Sequence, residues 1–381
     1  MTDTSNLFQP LTVKRVTLHN RIVMSPMTRA RSPNGVPTEA MAAYYRARAV
    51  GGAGLIVTEG VGIEHEASID QAAIPVLYGD AALAGWKKTV DAVHAAGAAI
   101  FPQLWHMGPM RKAGIGPHPD AMPMRPSGVW GPAIVHPVWG LDPKQLDLAR
   151  APVHPMTTAD IDAVIAAYAS AASNAKEVGF DGIAIHGAHG YLPDAFLWRE
   201  TNQRTDEYGG DIAGRTRFAV EIVRAIRGAI GEDMPIMFRF SQWKQQDYTA
   251  KLAQTPQELE RMLLPISEGG VDIFDASTRR FWLPEFEGAN LNLAGWAQHI
   301  TGKPSMTVGS IGLDDDLFDG KARGNRVGLS GLDELMDRFN RAEFSLVGIG
   351  RLHLSNPDFC NKIRNGVPLT PYEQRYAAEL I

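Results

Sequence analysis

Short hydrophobic runs, rich in β-branched residues, recur along this chain, and each is followed by a stretch whose apolar positions have helical spacing. Runs of this length, bounded by Gly, Pro and polar residues, are typical of buried strands. There are eight of them, at residues 21–25, 54–58, 99–104, 182–186, 235–240, 271–275, 305–308 and 344–348. Regular alternation of strand and helix predicts a parallel sheet joined by crossover helices.

The segments between the strands carry helix signals. Thr158 is the expected N-cap of a long periodic segment that ends at Gly179, and Thr255-Pro256 with Glu258 has the cap, proline and acid of a helix start. Eight such units predict the α/β class and a single (β/α)8 TIM barrel over residues 1–381, because closure leaves no exposed sheet edge. A doubly wound open sheet is the alternative, but its Gly-x-Gly-x-x-Gly motif is missing after the early strands.

Residues 107–156 interrupt the alternation. The segment is rich in Pro and Gly and has no clear helical pattern. Long connections without their own helix often serve as lids or binding loops. Because it follows the third strand, we expect it to be a lid-like insertion over the C-terminal face of the barrel.

Composition narrows the function classes. The 381 residues include 37 Lys and Arg against 42 Asp and Glu, a net charge of −5, so nothing favours nucleic-acid binding. Cys360 is the only cysteine, which excludes an internal disulfide and a cysteine-ligated cluster. No signal peptide or membrane-length apolar run is evident, so we expect a cytoplasmic protein without membrane contact. The sequence leaves a homo-oligomer open.

The fourth predicted strand leads into a reactive segment. His186 is the last residue of this strand, and His189 and Tyr191 follow within the next five residues. Two imidazoles can donate hydrogen bonds to one carbonyl oxygen, and a phenol can deliver a proton nearby. The same two histidines could instead be metal ligands of a barrel hydrolase, but no cysteine pair or His-Glu-x-x-His motif accompanies them. We therefore expect no metal.

Other strand ends carry polar groups that would converge at the same face. Gln103 suits the amide-like edge of a heterocycle, although it could equally make a hydrogen bond within the barrel. Arg239 ends a buried strand and needs an anionic partner. Small residues with an arginine follow the last two strands, where barrels often bind phosphate: Gly309, Ser310, Gly350 and Arg351. Taken singly, the glycines could be ordinary turn residues.

Several separate motifs together carry a family resemblance. They lie at residues 20–31, 102–106, 186–192, 202–210 and 350–351. In this order they resemble the old yellow enzyme family, FMN-dependent ene-reductases on a (β/α)8 barrel, from about residue 7 to about residue 371. Thr28 stands where one branch of that family has Cys, so the chain resembles the Thr-containing, single-domain branch.

The resemblance implies roles for individual residues. The implied FMN contacts are Pro26, Met27, Thr28, Gly60, Gln103, His186 and Arg239 around the ring, and Gly309, Ser310, Gly350 and Arg351 at the phosphate. The implied substrate contacts are His186 and His189 at the carbonyl oxygen, Tyr191 as proton donor, and Trp282 as a wall of the pocket, although Trp282 could simply be a packing residue. His186, His189 and Tyr191 would thus be the catalytic residues.

The implied activity is reduction of the C=C bond of an enone or enal by NADPH or NADH, through non-covalent FMN, in a ping-pong cycle. The absence of further cysteines implies FMN alone, without an iron–sulfur cluster. Three alternatives stay open at this point. They are specialised flavin-dependent oxidation or isomerisation of one metabolite, a metal-dependent barrel hydrolase, and a non-catalytic flavin-binding module.

Overall fold

The computed structural model of the protein describes residues 2–132, 143–313, 326–327 and 331–380. Residues 133–142 of the expected insertion lie outside the described residues. None of the helices in the described part of the chain is long and apolar enough to cross a membrane.

Eight parallel strands form a closed barrel in which neighbours follow the order of the chain. They are Ile22–Met24, Leu55–Gly62, Ala99–Trp105, Ile183–His186, Ile236–Phe240, Ile273–Ser277, Ser305–Val308 and Leu346–Ile349. The eighth strand pairs with the first, Val347 opposite Ile22, which closes the sheet. The predicted barrel and all eight predicted strands are therefore confirmed, and the open-sheet alternative is wrong.

Helices follow the strands on the outside of the barrel, and the last three come after the eighth strand. In chain order they are Glu39–Val50, Asp80–His94, Pro143–Arg150, Thr158–Val178, Leu192–Leu197, Ile212–Ile230, Pro256–Glu268, Leu293–Thr301, Leu332–Asn340, Arg351–Ser355, Phe359–Asn365 and Arg375–Ala378. Their capping follows the sequence closely, with Thr255 accepting a hydrogen bond from the Glu258 backbone N–H.

The cap expected at Thr158 is wrong by one residue. Thr157 has extended backbone angles, and its hydroxyl accepts from the Asp160 N–H while the Asp160 carboxylate accepts from the Thr157 N–H. This reciprocal pair satisfies two otherwise unpaired donors, so Thr158 is already the first residue of the helix.

Apolar side chains fill the inside of the barrel and close one end of it. Val23, Phe101 and Met237 belong to one buried cluster with Val16 and Leu18. The last two lie on an N-terminal hairpin of strands Leu11–Val13 and Val16–Leu18, which the hydrophobic pattern did not predict. Since the hairpin packs against the N-terminal half of the barrel, the polar residues at the C-terminal strand ends face the open end.

The insertion after the third strand contains a helix, Pro143–Arg150, which contradicts the expectation of a segment without one. Buried Arg125 explains how so short a helix ends stably, because its guanidinium donates to the carbonyl oxygens of Ala149 and Ala151. Ala149 forms a buried cluster with Met110 and Trp130, and Tyr191 packs against this cluster, so the insertion contacts the segment after the fourth strand.

Candidate active site

The strand register sets polar side chains in a row at the C-terminal end of the barrel. His186, Arg239 and Asp275 are register partners on the fourth, fifth and sixth strands. A β-bulge in the second strand precedes Gly60 and brings it opposite Gln103 on the third. Bulges often occur beside active sites because they redirect the chain locally. The row therefore follows from the closed barrel and its register.

The segment after the fourth strand has an unusual backbone. His189 has φ +66° and Gly190 has φ +88°, the left-handed region that a residue with a Cβ seldom adopts. The conformation is held by hydrogen bonds, from the His189 N–H to the Ser241 hydroxyl (3.0 Å) and from the Gly190 N–H to Asp194 (2.6 Å). Backbone strain of this kind is found at functional sites when neighbouring groups enforce it.

A fully buried ion pair stabilises this segment. Lys244 Nζ lies 2.8 Å from the Asp194 carboxylate, and neither side chain is exposed to solvent. Lys244 Nζ also donates to the Ser241 carbonyl oxygen (3.0 Å). Burial raises the pKa of Asp194 to about 6, while Lys244 acts in the opposite direction. The pair joins the segment after the fourth strand to the segment after the fifth.

The rings of the three candidate catalytic residues lie close together. The His186 ring lies 5.1 Å from the His189 ring and 4.6 Å from the Tyr191 ring, between centroids. Trp105 contacts Tyr191 edge-on at 4.9 Å. All four line one cavity of about 220 Å³. Two imidazoles and a phenol thus face a common space large enough to admit a small molecule.

Burial fixes the protonation of these groups. Desolvation lowers the pKa of His186 and His189 well below 6.5, with Arg239 acting in the same direction on both and His186 also on His189. Desolvation raises the pKa of Tyr191 to about 12, while a hydrogen bond from Gln245 lowers it. Near neutral pH the site therefore holds two uncharged imidazoles and a protonated phenol.

A second cavity of about 220 Å³ continues from the first. Pro26, His189, Arg239 and Trp243 line both. Its far end is formed by Gly309, Ser310, Gly350 and Arg351, and Arg351 Nη2 donates to the Ser310 hydroxyl (3.2 Å).

The turn after the seventh strand has a conformation that depends on glycine. Gly309 has φ +148°, and a Cβ there would lie 2.5 Å from the Thr278 hydroxyl. The next residue, Ser310, has φ +52°. Successive unusual backbone angles at a strand end can turn N–H groups toward one side, which suits an anion.

Two buried polar atoms in the first cavity suit a ligand with a polar edge. Gln103 Nε2 and His186 Nδ1 are buried, and neither has a hydrogen-bond partner among the described residues. Arg239 Nε lies 3.4 Å from Asp275, whose pKa burial raises to about 6. An elongated ligand with a polar planar edge near Gln103 and Arg239, and an anionic end near Arg351, fits these donors.

All the predicted flavin and carbonyl contacts line one of these two cavities: Pro26, Met27, Thr28, Gly60, Gln103, His186, His189, Tyr191, Arg239, Gly309, Ser310, Gly350 and Arg351. Trp282 alone of the predicted site residues lies elsewhere. Its ring packs edge-on against Phe281 at 5.3 Å, and its carbonyl oxygen accepts from Arg338. The expectation that Trp282 forms a pocket wall is not supported, and the packing alternative fits.

Several lining residues were not assigned individual roles from the sequence. They include Trp105, Gln245, Ser277 and Thr278, together with Trp243 and Arg279 from two stretches, 239–244 and 279–284, that were expected to shape the pocket. Ser277 ends the sixth strand, and Trp243 follows the fifth, so their positions at strand ends were the available signal. In the described ranges, no three His, Cys, Asp or Glu side chains are grouped so that they could hold a metal ion.

Comparison with known proteins gives consistent matches. The model of the NADH:flavin oxidoreductase / NADH oxidase family matches residues 6–329. Chanoclavine-I aldehyde reductase of Penicillium roqueforti is 34% identical over 392 residues, covering 97% of this chain and 92% of that protein. 12-oxophytodienoate reductase 7 of Oryza sativa subsp. japonica is 41% identical over 231 residues, 60% of this chain and 56% of the relative.

Solved structures are similar over nearly the whole chain. The old yellow enzyme homologue from Zymomonas mobilis superposes with a TM-score of 0.79 at 26% identity, covering 98% of this chain and 96% of the other. Morphinone reductase in complex with tetrahydroNAD gives a TM-score of 0.78 at 27% identity, with 98% and 94% covered.

Proposed function

The chain belongs to the NADH:flavin oxidoreductase / NADH oxidase family, that of the old yellow enzymes, and we propose that it reduces the C=C bond of α,β-unsaturated carbonyl compounds. It is an NAD(P)H-dependent flavin oxidoreductase with FMN as its cofactor, which excludes a metal-dependent hydrolase. The observation that carries the proposal is the meeting of His186, His189 and Tyr191 on one cavity.

The proposed FMN site extends over both cavities. Gln103 and Arg239 would hold the polar edge of the ring, and Arg351 with the Gly309–Ser310 backbone would hold the phosphate. The remaining proposed contacts are Pro26, Met27, Thr28, Gly60, His186 and Gly350. The chemistry that FMN supplies when bound is transfer of hydride from a nicotinamide to an electron-poor carbon.

His186 and His189 are proposed to bind the substrate's carbonyl oxygen. Their low pKa values keep both imidazoles neutral, so each offers one N–H donor. Negative charge develops on this oxygen as hydride reaches the β-carbon, and donors already aimed at that position stabilise it most. The hydrogen bonds that hold His189 in its left-handed conformation therefore serve catalysis by fixing a donor in advance.

Tyr191 is proposed to protonate the α-carbon. Its raised pKa keeps the proton on Oη throughout the neutral range, so the donor form is fully populated. Trp105 packs edge-on against the phenol, and Tyr191 also packs against the buried cluster of the insertion that contains Trp130. This packing limits access of water to the proton and orients the hydroxyl toward the cavity.

The direct test is to identify the product. FMN-loaded protein with NADPH or NADH should convert 2-cyclohexenone to cyclohexanone, because the hydride goes to the β-carbon and the proton to the α-carbon. Formation of 2-cyclohexen-1-ol would mean carbonyl reduction and would contradict the proposal. A yellow protein that consumes NADPH but leaves a panel of enones and enals unchanged would favour specialised oxidation or isomerisation instead.

A further inference from the structure

Ser277, a residue to which the resemblance gives no role, makes contacts that reach the candidate catalytic histidine. Its hydroxyl lies 2.8 Å from His189 Nε2 and 3.3 Å from Arg239 Nη2. It ends the sixth strand and is buried. The hydroxyl therefore links His189, in the loop after the fourth strand, to Arg239 on the fifth strand.

The direction of these hydrogen bonds follows from the donors present. An arginine can only donate, so Ser277 Oγ accepts from Arg239. The hydroxyl has one hydrogen to donate, and His189 Nε2 is the other polar atom within hydrogen-bond distance among the described residues. Donation to a bare Nε2 satisfies this hydrogen, whereas acceptance from Nε2–H would leave the hydrogen of the buried hydroxyl without a partner among the described residues, which is unfavourable. A neutral imidazole has one protonated and one bare nitrogen, and the bare one must be Nε2 if it accepts from Ser277.

We propose that Ser277 is a positioning residue that fixes the tautomer of His189, so that His189 offers Nδ1–H to the substrate's carbonyl oxygen. This inference rests on the proposed function, in which His189 is one of the two carbonyl donors. With the opposite tautomer, Nε2–H would point at Ser277 and the substrate would meet a bare nitrogen. A lone pair facing a developing negative charge would repel it.

The surroundings hold both partners in place. The Trp243 ring stacks on the His189 ring at 4.4 Å with 28° between the planes, which restricts rotation of the imidazole. Trp243 Nε1 in turn donates to the Ser277 carbonyl oxygen (3.2 Å). Burial lowers the pKa of His189 and keeps the imidazole neutral near pH 7, so that only one of its two nitrogens carries a proton.

The first measurement is the protonation of the two His189 nitrogens in FMN-loaded protein labelled with ¹⁵N-histidine. Their ¹⁵N chemical shifts separate a protonated nitrogen from a bare one, and comparison with His189→Asn assigns the signals. We expect a protonated Nδ1 and a bare Nε2. A protonated Nε2 in the wild-type protein would overturn the proposal without any variant having to fold.

Variants test the part played by the hydroxyl. Ser277→Ala should let the Nε2–H form of His189 appear and should weaken binding of phenol, an enolate mimic, about tenfold. Ser277→Thr keeps the hydroxyl and should preserve both the Nδ1–H tautomer of His189 and the affinity for phenol. Ser305→Ala removes another buried strand hydroxyl, one that donates to Ala294, and should change neither. An unchanged tautomer and unchanged phenol affinity in Ser277→Ala would refute the role.

The tautomer is read without turnover, which separates this proposal from the proposed function. Failure of the wild-type protein to reduce enones, with Nδ1 protonated, would overturn the ene-reductase proposal alone. Enone reduction with Nε2 protonated would overturn the Ser277 proposal alone.

Discussion

The Tyr191 and His186 rings lie 4.6 Å apart between centroids, with 69° between their planes. His186 is fixed by the end of a barrel strand, whereas Tyr191 follows the left-handed turn at His189 and Gly190. A rigid strand and a constrained turn therefore set the relative position of proton donor and carbonyl donor. Placement on such elements favours a geometry that is ready before the substrate binds.

Replacement of Tyr191 by Phe should separate the two halves of the catalytic cycle. Without the phenol, enone-dependent reoxidation of the reduced protein should slow by about a hundredfold or more, as expected for loss of a general acid. Reduction by NADPH, which needs no proton at the α-carbon, should stay within about twofold. Stopped-flow absorbance measures both halves, and Tyr78→Phe is the control. Equal slowing of reduction by NADPH and of reoxidation by the enone would contradict the role of Tyr191 as proton donor.

The enone half of the cycle should be nearly independent of pH between about 6.5 and 9.5. His186 and His189 remain neutral there because burial holds their pKa well below 6.5, and Tyr191 remains protonated because its pKa is about 12. Neither donor then changes form in the window. Stopped-flow rates across this range give the profile. A sigmoidal change centred between about pH 7.5 and 9, well above the pKa of about 6 of Asp194 and Asp275, that persists in three different buffers would contradict this prediction.

Arg351→Met should weaken binding of FMN about 10- to 100-fold and leave riboflavin affinity within about twofold, because only FMN carries the phosphate that Arg351 is proposed to hold. Quenching of flavin fluorescence on titration into the apoprotein gives both affinities. Arg217→Met, on the outer helix Ile212–Ile230, is the matched control. An equal loss of affinity for the two flavins would show that Arg351 does not bind the phosphate of FMN.

Lys244→Met should lower the free energy of unfolding by about 3–5 kcal/mol, because it leaves the Asp194 carboxylate buried without its cation. The double variant with Asp194→Asn should recover part of this loss, since no charge is then left unpaired. Urea unfolding followed by circular dichroism measures each. A loss below about 0.5 kcal/mol in the single variant would mean that the pair contributes little to holding the Gly190 turn.

Much of this site was predictable because barrel geometry is regular. Strands that end in polar residues converge at one face, so His186, Arg239, Gln103 and Arg351 could be grouped from the order of the chain alone. The strands themselves were predictable for the same reason, since each is a short apolar run bounded by clear breaks.

The features that were missed depend on contacts distant in sequence. Ser277 is an ordinary strand-end serine until the register brings it beside His189 and Arg239. The helix Pro143–Arg150 has a weak local pattern, and the carbonyls at its C-terminal end depend on Arg125, which is 24 to 26 residues away in sequence. Trp282 was expected in the pocket because its loop follows the sixth strand, but its ring packs against Phe281 instead. Side-chain direction in loops is set by such tertiary contacts.

The most direct test of the central claim is an anaerobic absorbance spectrum of the FMN-loaded protein, titrated first with NADPH or NADH and then with 2-cyclohexenone. The flavin band near 450 nm, a property of the cofactor, should bleach with the nicotinamide and return in full with the enone. A band that bleaches and does not return with any enone or enal would contradict the ene-reductase proposal, and a protein that binds no FMN would contradict the assignment of both cavities.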